Sequence, residues 1–134
     1  MRSKRILFKR FEKGTLMKTL KDFIDSKKIK SGLIFVIGFL DEVTLGFFDW
    51  KKKDYEKFSV KKVEIVSCYG NLSRKEKSGD LLIHMHGVFA KEKGKTYGGH
   101  VVNGRIKLIE VMIIETEKVT RIFDEKLGLY LLDV

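Results

Sequence analysis

Proline is absent from this chain of 134 residues, and cysteine occurs once, as Cys68. A single thiol excludes an intrachain disulfide and a thiolate-rich metal site, so its expected role is packing. No apolar run approaches the roughly 18 residues of a membrane span, which excludes a membrane-crossing helix. The longest run, Gly32 to Leu40, reads as a buried strand. The basic start, Met1-Arg2-Ser3-Lys4-Arg5, is followed by no signal-peptide core before charge returns at Lys9 and Arg10, so the protein is expected in the cytoplasm. A phosphate-binding glycine loop, a nucleophile elbow and an acidic metal motif are all missing. Histidine occurs only three times.

What is present suits one globular domain spanning residues 1–134, with 43% hydrophobic residues to build a core. Charged residues make up 34%, lysine dominates, and the net charge is +10. Such a surplus attracts polyanions, nucleic acid among them. Its most concentrated parts are Lys51-Lys52-Lys53 and Lys61-Lys62, the candidate phosphate contacts, with Phe47, Phe48 and Trp50 beside the triple lysine as candidates for stacking on bases. Lysine and glutamate enrichment is also a composition found in heat-loving sources.

Ile6 and Phe8 alternate in a first strand, after which Thr15 can cap a helix whose apolar positions Leu16, Leu20, Phe23 and Ile24 recur at three- and four-residue spacing. Ser31 to Leu40 is apolar enough for a strand covered on both faces, with Gly38 marking a bulge. Asp41-Glu42 is expected to turn the chain into a second strand, Val43 to Trp50. Tyr55 to Val60 and Lys61 to Cys68 read as short strands, Tyr69 to Ser73 as a break, and Arg74 to Asp80 as a solvated loop. Asn103-Gly104 signals a tight turn into Ile106 to Glu115, so that three consecutive strands form a meander. In that scheme Glu110, an isolated carboxylate in an apolar run, falls near Tyr97 and needs a basic, hydroxyl or intersubunit partner. Val119 to Ile122 and Gly128 to Leu132 supply the last strands.

The histidines carry the sharpest chemistry. His84 and His86 alternate within the strand Leu81 to Ala90 and so share a face at roughly 7 Å. If Glu92-Lys93-Gly94 is a three-residue hairpin loop, a type I turn closed by a left-handed glycine, Lys91 opposes Lys95 and His86 opposes His100 at about 5 Å. Gly98 then opposes Val88 and leaves room beside the rings. Three neutral imidazoles suit a divalent ion, zinc first, and leave a coordination position open.

The strings Leu82-Ile83-His84-Met85-His86-Gly87-Val88-Phe89 and Tyr97-Gly98-Gly99-His100-Val101, with Gly32 to Asp49, Val63 to Ser67, Gly70-Asn71 and Glu110 to Ile113, resemble the prokaryotic members of the PPC domain family, the plants and prokaryotes conserved domain. That resemblance implies an α+β fold, a mostly antiparallel β-sheet flanked by a few helices. It also implies a homotrimer and a metal held at His84, His86 and His100. Plant members join the domain to AT-hooks, which need proline and are therefore missing here. Two functions follow: a zinc-containing homotrimer that associates with DNA in a regulatory role, or a metal-dependent enzyme acting on a small molecule at the open position.

Overall fold

A computed structural model describes residues 4–134. Its elements in chain order are β1 (Ile6–Phe11), α1 (Leu16–Ser26), β2 (Ser31–Asp49), β3 (Asp54–Lys75), β4 (Leu81–Ala90), a 3-10 turn (Glu92–Gly94), β5 (Thr96–Thr116), β6 (Thr120–Asp124) and β7 (Leu129–Leu132). The fold is mostly β-sheet, and the expected few helices reduce to one α-helix among the described residues. Pairings are antiparallel except β3 with β6. Because β4 pairs with both β3 and β5, and β5 and β3 both pair with β2, these four strands close a circuit; β1 extends it beside β5 and the β6–β7 hairpin beside β3.

Helix α1 arises from its apolar spacing, burying Leu16, Leu20 and Ile24 against the sheet while Lys18–Asp22 and Lys21–Asp25 pair on the solvent side. Thr15 holds the N-cap position but makes no side-chain cap bond. Asn103 Oδ1 instead accepts from Met17 N at 3.1 Å, so a distant strand satisfies a donor in the first helical turn. The inward side chains of the strands join α1 in one core that includes Ile34, Leu72, Met85, Phe89, Ile109 and Ile113. Cys68 packs there, with Sγ 3.9 Å from Met85 Sδ, and burial pushes its thiol up to about 12.

Several expected breaks are continuous strand. Asp41-Glu42 does not turn the chain: β2 runs through it with register shifts between Leu40 and Glu42. Tyr69 to Ser73 likewise continues β3, which absorbs both short strands expected before it, and Gly70 permits close approach of β4, since a Cβ there would collide with the His84 carbonyl. Strand β3 ends at Lys75, which shortens the expected polar loop. Asn103-Gly104 is not a turn either, because β5 runs unbroken from Thr96 to Thr116. Asn103 is occupied with α1, and Gly104 lies against Glu42 of β2. Val102 therefore does not oppose Arg105, and Glu110 is paired with Arg10 and Ile37 rather than lying near Tyr97. The bulge at Gly38 is present as a register shift between Phe35 and Gly38.

The expectation that Ser31 to Leu40 is covered on both faces is also corrected. Leu33, Phe35, Ile37 and Phe39 are exposed in the single chain. They join Ile6 and Phe8 of β1, Ile114 of β5 and Tyr69 of β3 in an open apolar wall. The cross-strand row Phe8, Met112, Phe35, Tyr69, His86 places that wall and the histidines on one continuous outer surface.

Candidate metal centre

The β4–β5 hairpin has the register its sequence demands: His86 opposes His100, Gly98 opposes Val88, and Lys91 N donates to Lys95 O at 2.7 Å. The turn differs in one respect, because Lys93 as well as Gly94 adopts positive φ, at 60° and 76°. Met85 between the two histidines points into the core, which turns both imidazoles outward.

The three rings converge. Their centroids are 5.0, 5.4 and 5.7 Å apart. One nitrogen from each ring lies within 4.8 Å of the others, and Nε2 of His84 is 3.2 Å from Nε2 of His86. Nitrogens around a tetrahedral ion with bonds of 2.0–2.1 Å are spaced by about 3.4 Å, so only small movements separate this cluster from a ligand set. Tyr55 stacks on His100 at 4.6 Å, opposite Gly46, where a Cβ would press within 2.9 Å of the Tyr55 ring. On the other side His86 is exposed.

Electrostatics hold two of the rings, His84 and His100, in the neutral form. Burial, then the cation of Arg121, pushes His84 down to about 4, and burial with a contribution from His86 lowers His100. Neutral imidazole is the ligating form. Nδ1 of His100 is buried with no hydrogen-bond partner, so the cluster has an unmet polar atom of the kind an ion satisfies. The donor set and this orphan fit a divalent metal.

Arg121, in β6, was not foreseen as part of the site. Its guanidinium donates to Ser73 Oγ at 2.9 Å, Tyr130 O at 2.8 Å, Asn71 Oδ1 at 2.8 Å and His84 Nδ1 at 3.2 Å. It is buried, and among the described residues no carboxylate pairs with it. A guanidinium can only donate, so in the metal-free chain Nδ1 of His84 accepts and Nε2 carries the proton. Ligation through Nε2 requires that proton to move to Nδ1 and the contact with Arg121 to give way. The sequence held no signal for this contact, since a lone arginine in a short terminal strand looks like surface.

The lysines do not form one patch. Lys51, Lys52 and Lys53 occupy the exposed β2–β3 turn, where Asp49 Oδ1 accepts from Lys51 N and Lys52 N at 2.8 and 3.0 Å. Phe48 packs edge-on against Trp50 and Tyr55, while Phe47 and Trp50 stay exposed. Lys61 and Lys62 lie farther along β3, about 26 Å of extended chain from Lys53. Lys62 lines an open groove of about 970 Å³ with four acids, Glu12, Asp41, Glu64 and Glu92, and two further lysines, Lys91 and Lys107, so its charge lies among acids of this chain.

Known proteins share this fold. The family model described as the Plants and Prokaryotes Conserved domain matches residues 1–117. A plant- and prokaryote-conserved protein of Pyrococcus horikoshii is 32% identical, with all of this chain and 95% of that one covered and a TM-score of 0.89. A metal-containing protein of Archaeoglobus fulgidus is 29% identical over 96% of this chain and 92% of its own, with a TM-score of 0.86. A protein of Bacteroides thetaiotaomicron, provisionally described as DNA-binding, is 25% identical over 98% and 96%, with a TM-score of 0.87. No curated protein matches.

Proposed function

The chain belongs to the Plants and Prokaryotes Conserved domain family, and from that premise we propose that it is a homotrimeric metal-binding module. His84, His86 and His100 hold one divalent ion per chain, zinc in the first instance, and the lysine surface associates with DNA in a regulatory role. The observation that carries the metal is the convergence of three imidazole nitrogens within 4.8 Å beside an orphaned Nδ1. The metal-containing relative from Archaeoglobus fulgidus supports it. Imidazole donors without thiolate or carboxylate favour zinc over calcium or magnesium.

The open apolar wall supports self-association, because monomers rarely expose so large an apolar surface and closed symmetric assemblies bury it. DNA association is supported by the +10 charge, the exposed turn lysines and the Bacteroides relative. Lys51, Lys52 and Lys53 are its principal contacts, and Lys61 and Lys62 contribute less because of the neighbouring acids. The second reading, metal-dependent chemistry on a small molecule, is favoured by the exposure of His86, which leaves one side of the cluster facing solvent. An ion there supplies Lewis acidity.

Elemental analysis of protein purified without an affinity tag tests the core of this reading. About one ion per chain is expected in the wild type and almost none in His84→Ala. Equal metal content in the two would remove the site.

A further inference from the structure

We infer that Glu110 of one copy supplies the carboxylate that the histidine cluster of a neighbouring copy lacks. This rests on the metal-binding, self-associating reading above and names what completes the site. Within one chain the cluster is electrically one-sided: three imidazoles are backed by the buried cation of Arg121, and no described acid compensates it. An ion bound there adds further positive charge in surroundings that screen it poorly.

Glu110 has the opposite problem. It stands on the open wall, exposed, opposite Ile37 of β2 and between Leu108 and Met112 along the outward face of β5. Its other cross-strand neighbour, Arg10, pairs with Glu12 at 3.4 Å. Among the described residues no hydrogen bond or ion pair holds Glu110. A second copy laid on this wall would bury that carboxylate among apolar groups at a cost unless it met a cation. It cannot reach the cluster of its own chain, since about 33 Å of extended β5 separates it from His100 and β2 and β3 intervene on the other route.

The two defects are complementary. The row from Phe8 through Phe35 and Tyr69 to His86 makes wall and cluster parts of one surface, so a copy covering the wall borders the histidines. A cyclic head-to-tail contact sets the β1–β5 part of one copy against the β3–β4 part of the next and closes as a ring. Acid then meets cation at each of its interfaces. Glu64, another outward acid nearby, lines a groove with the cations Lys62, Lys91 and Lys107 and serves as the comparison.

The test uses the full chain as Glu110→Gln, with Glu64→Gln as control. Chelator competition measures zinc affinity and light scattering measures assembly. Glu110→Gln is expected to weaken zinc binding by at least about tenfold while Glu64→Gln leaves it unchanged. Co-assembling Glu110→Gln with His84→Ala chains should then regain tight sites, about one per four chains on random mixing, because one variant keeps the histidines and the other the acid. This mixture keeps the test decisive where Glu110→Gln assembles poorly alone. Wild-type affinity in Glu110→Gln, or no tight site in the mixture, overturns the inference and leaves the three-histidine site standing. A wild type that takes up no zinc overturns both.

Discussion

Strand β2 turns Ile34 and Val36 into the core at 0% and 1% exposure, while Leu33, Phe35 and Ile37 on its other side remain 36–43% exposed. Composition does not distinguish the two sets. One is covered by the chain's own α1 and opposing strands; the other has no cover among the described residues. Hydrophobicity therefore reports that a face will be buried without saying by what. The same contrast separates the chemistry, because the β3–β4 side gathers cation and imidazole whereas the β1–β5 side presents a lone acid.

Substitution on the two faces should break this comparison most sharply. Phe89→Ala, at a position with 0% exposure, is expected to cost about 3–5 kcal/mol in chemical denaturation. Phe35→Glu should change the stability of the chain by no more than about 1 kcal/mol yet shift the assembly to monomer in light scattering. If Phe35→Glu leaves the assembly intact, the wall is not its interface.

A smaller effect sharpens the contrast at the histidines. Because burial holds His84 near 4 against 6.5 for a free imidazole, the unfolded chain binds a proton in that window that the folded chain refuses. Metal-free protein should keep its stability above pH 6.5, lose it progressively toward about 4, and change no further from this group below that. His84→Asn should flatten the profile, and a wild-type melting temperature indifferent to pH across the window would contradict the assigned burial. The smallest effect is expected at the surface. Replacing Lys51, Lys52 and Lys53 by glutamine should weaken duplex DNA binding in fluorescence polarisation and reduce its salt slope, whereas the Lys61/Lys62 pair should matter less. Equal effects from both sets would show that the neighbouring acids do not discount the charge.

The candidate site was legible in the residues because its geometry is local. Gly94 closes a short hairpin, and once Lys91 opposes Lys95 the period of two carries His86 to His100 without reference to the rest of the chain. The same rule misread Asn103-Gly104, since the signal is sound only where no distant element claims those residues. Here α1 takes the Asn103 side chain and β2 takes the space at Gly104. Arg121 was illegible for a related reason: it meets His84 only because β6 pairs in parallel with Arg74 and Lys75 of β3.

By itself the sequence determined the alternation of inward and outward residues, the amphipathic helix and the meeting of His86 with His100, because each depends on backbone periodicity over a few residues. Only the tertiary structure decided that β2, β3 and β5 run through their apparent breaks, that a buried arginine stands behind His84 and that an apolar wall stays open. Those outcomes depend on pairing between segments far apart in the chain, where the free energy of a turn or a strand is settled by the partner it finds.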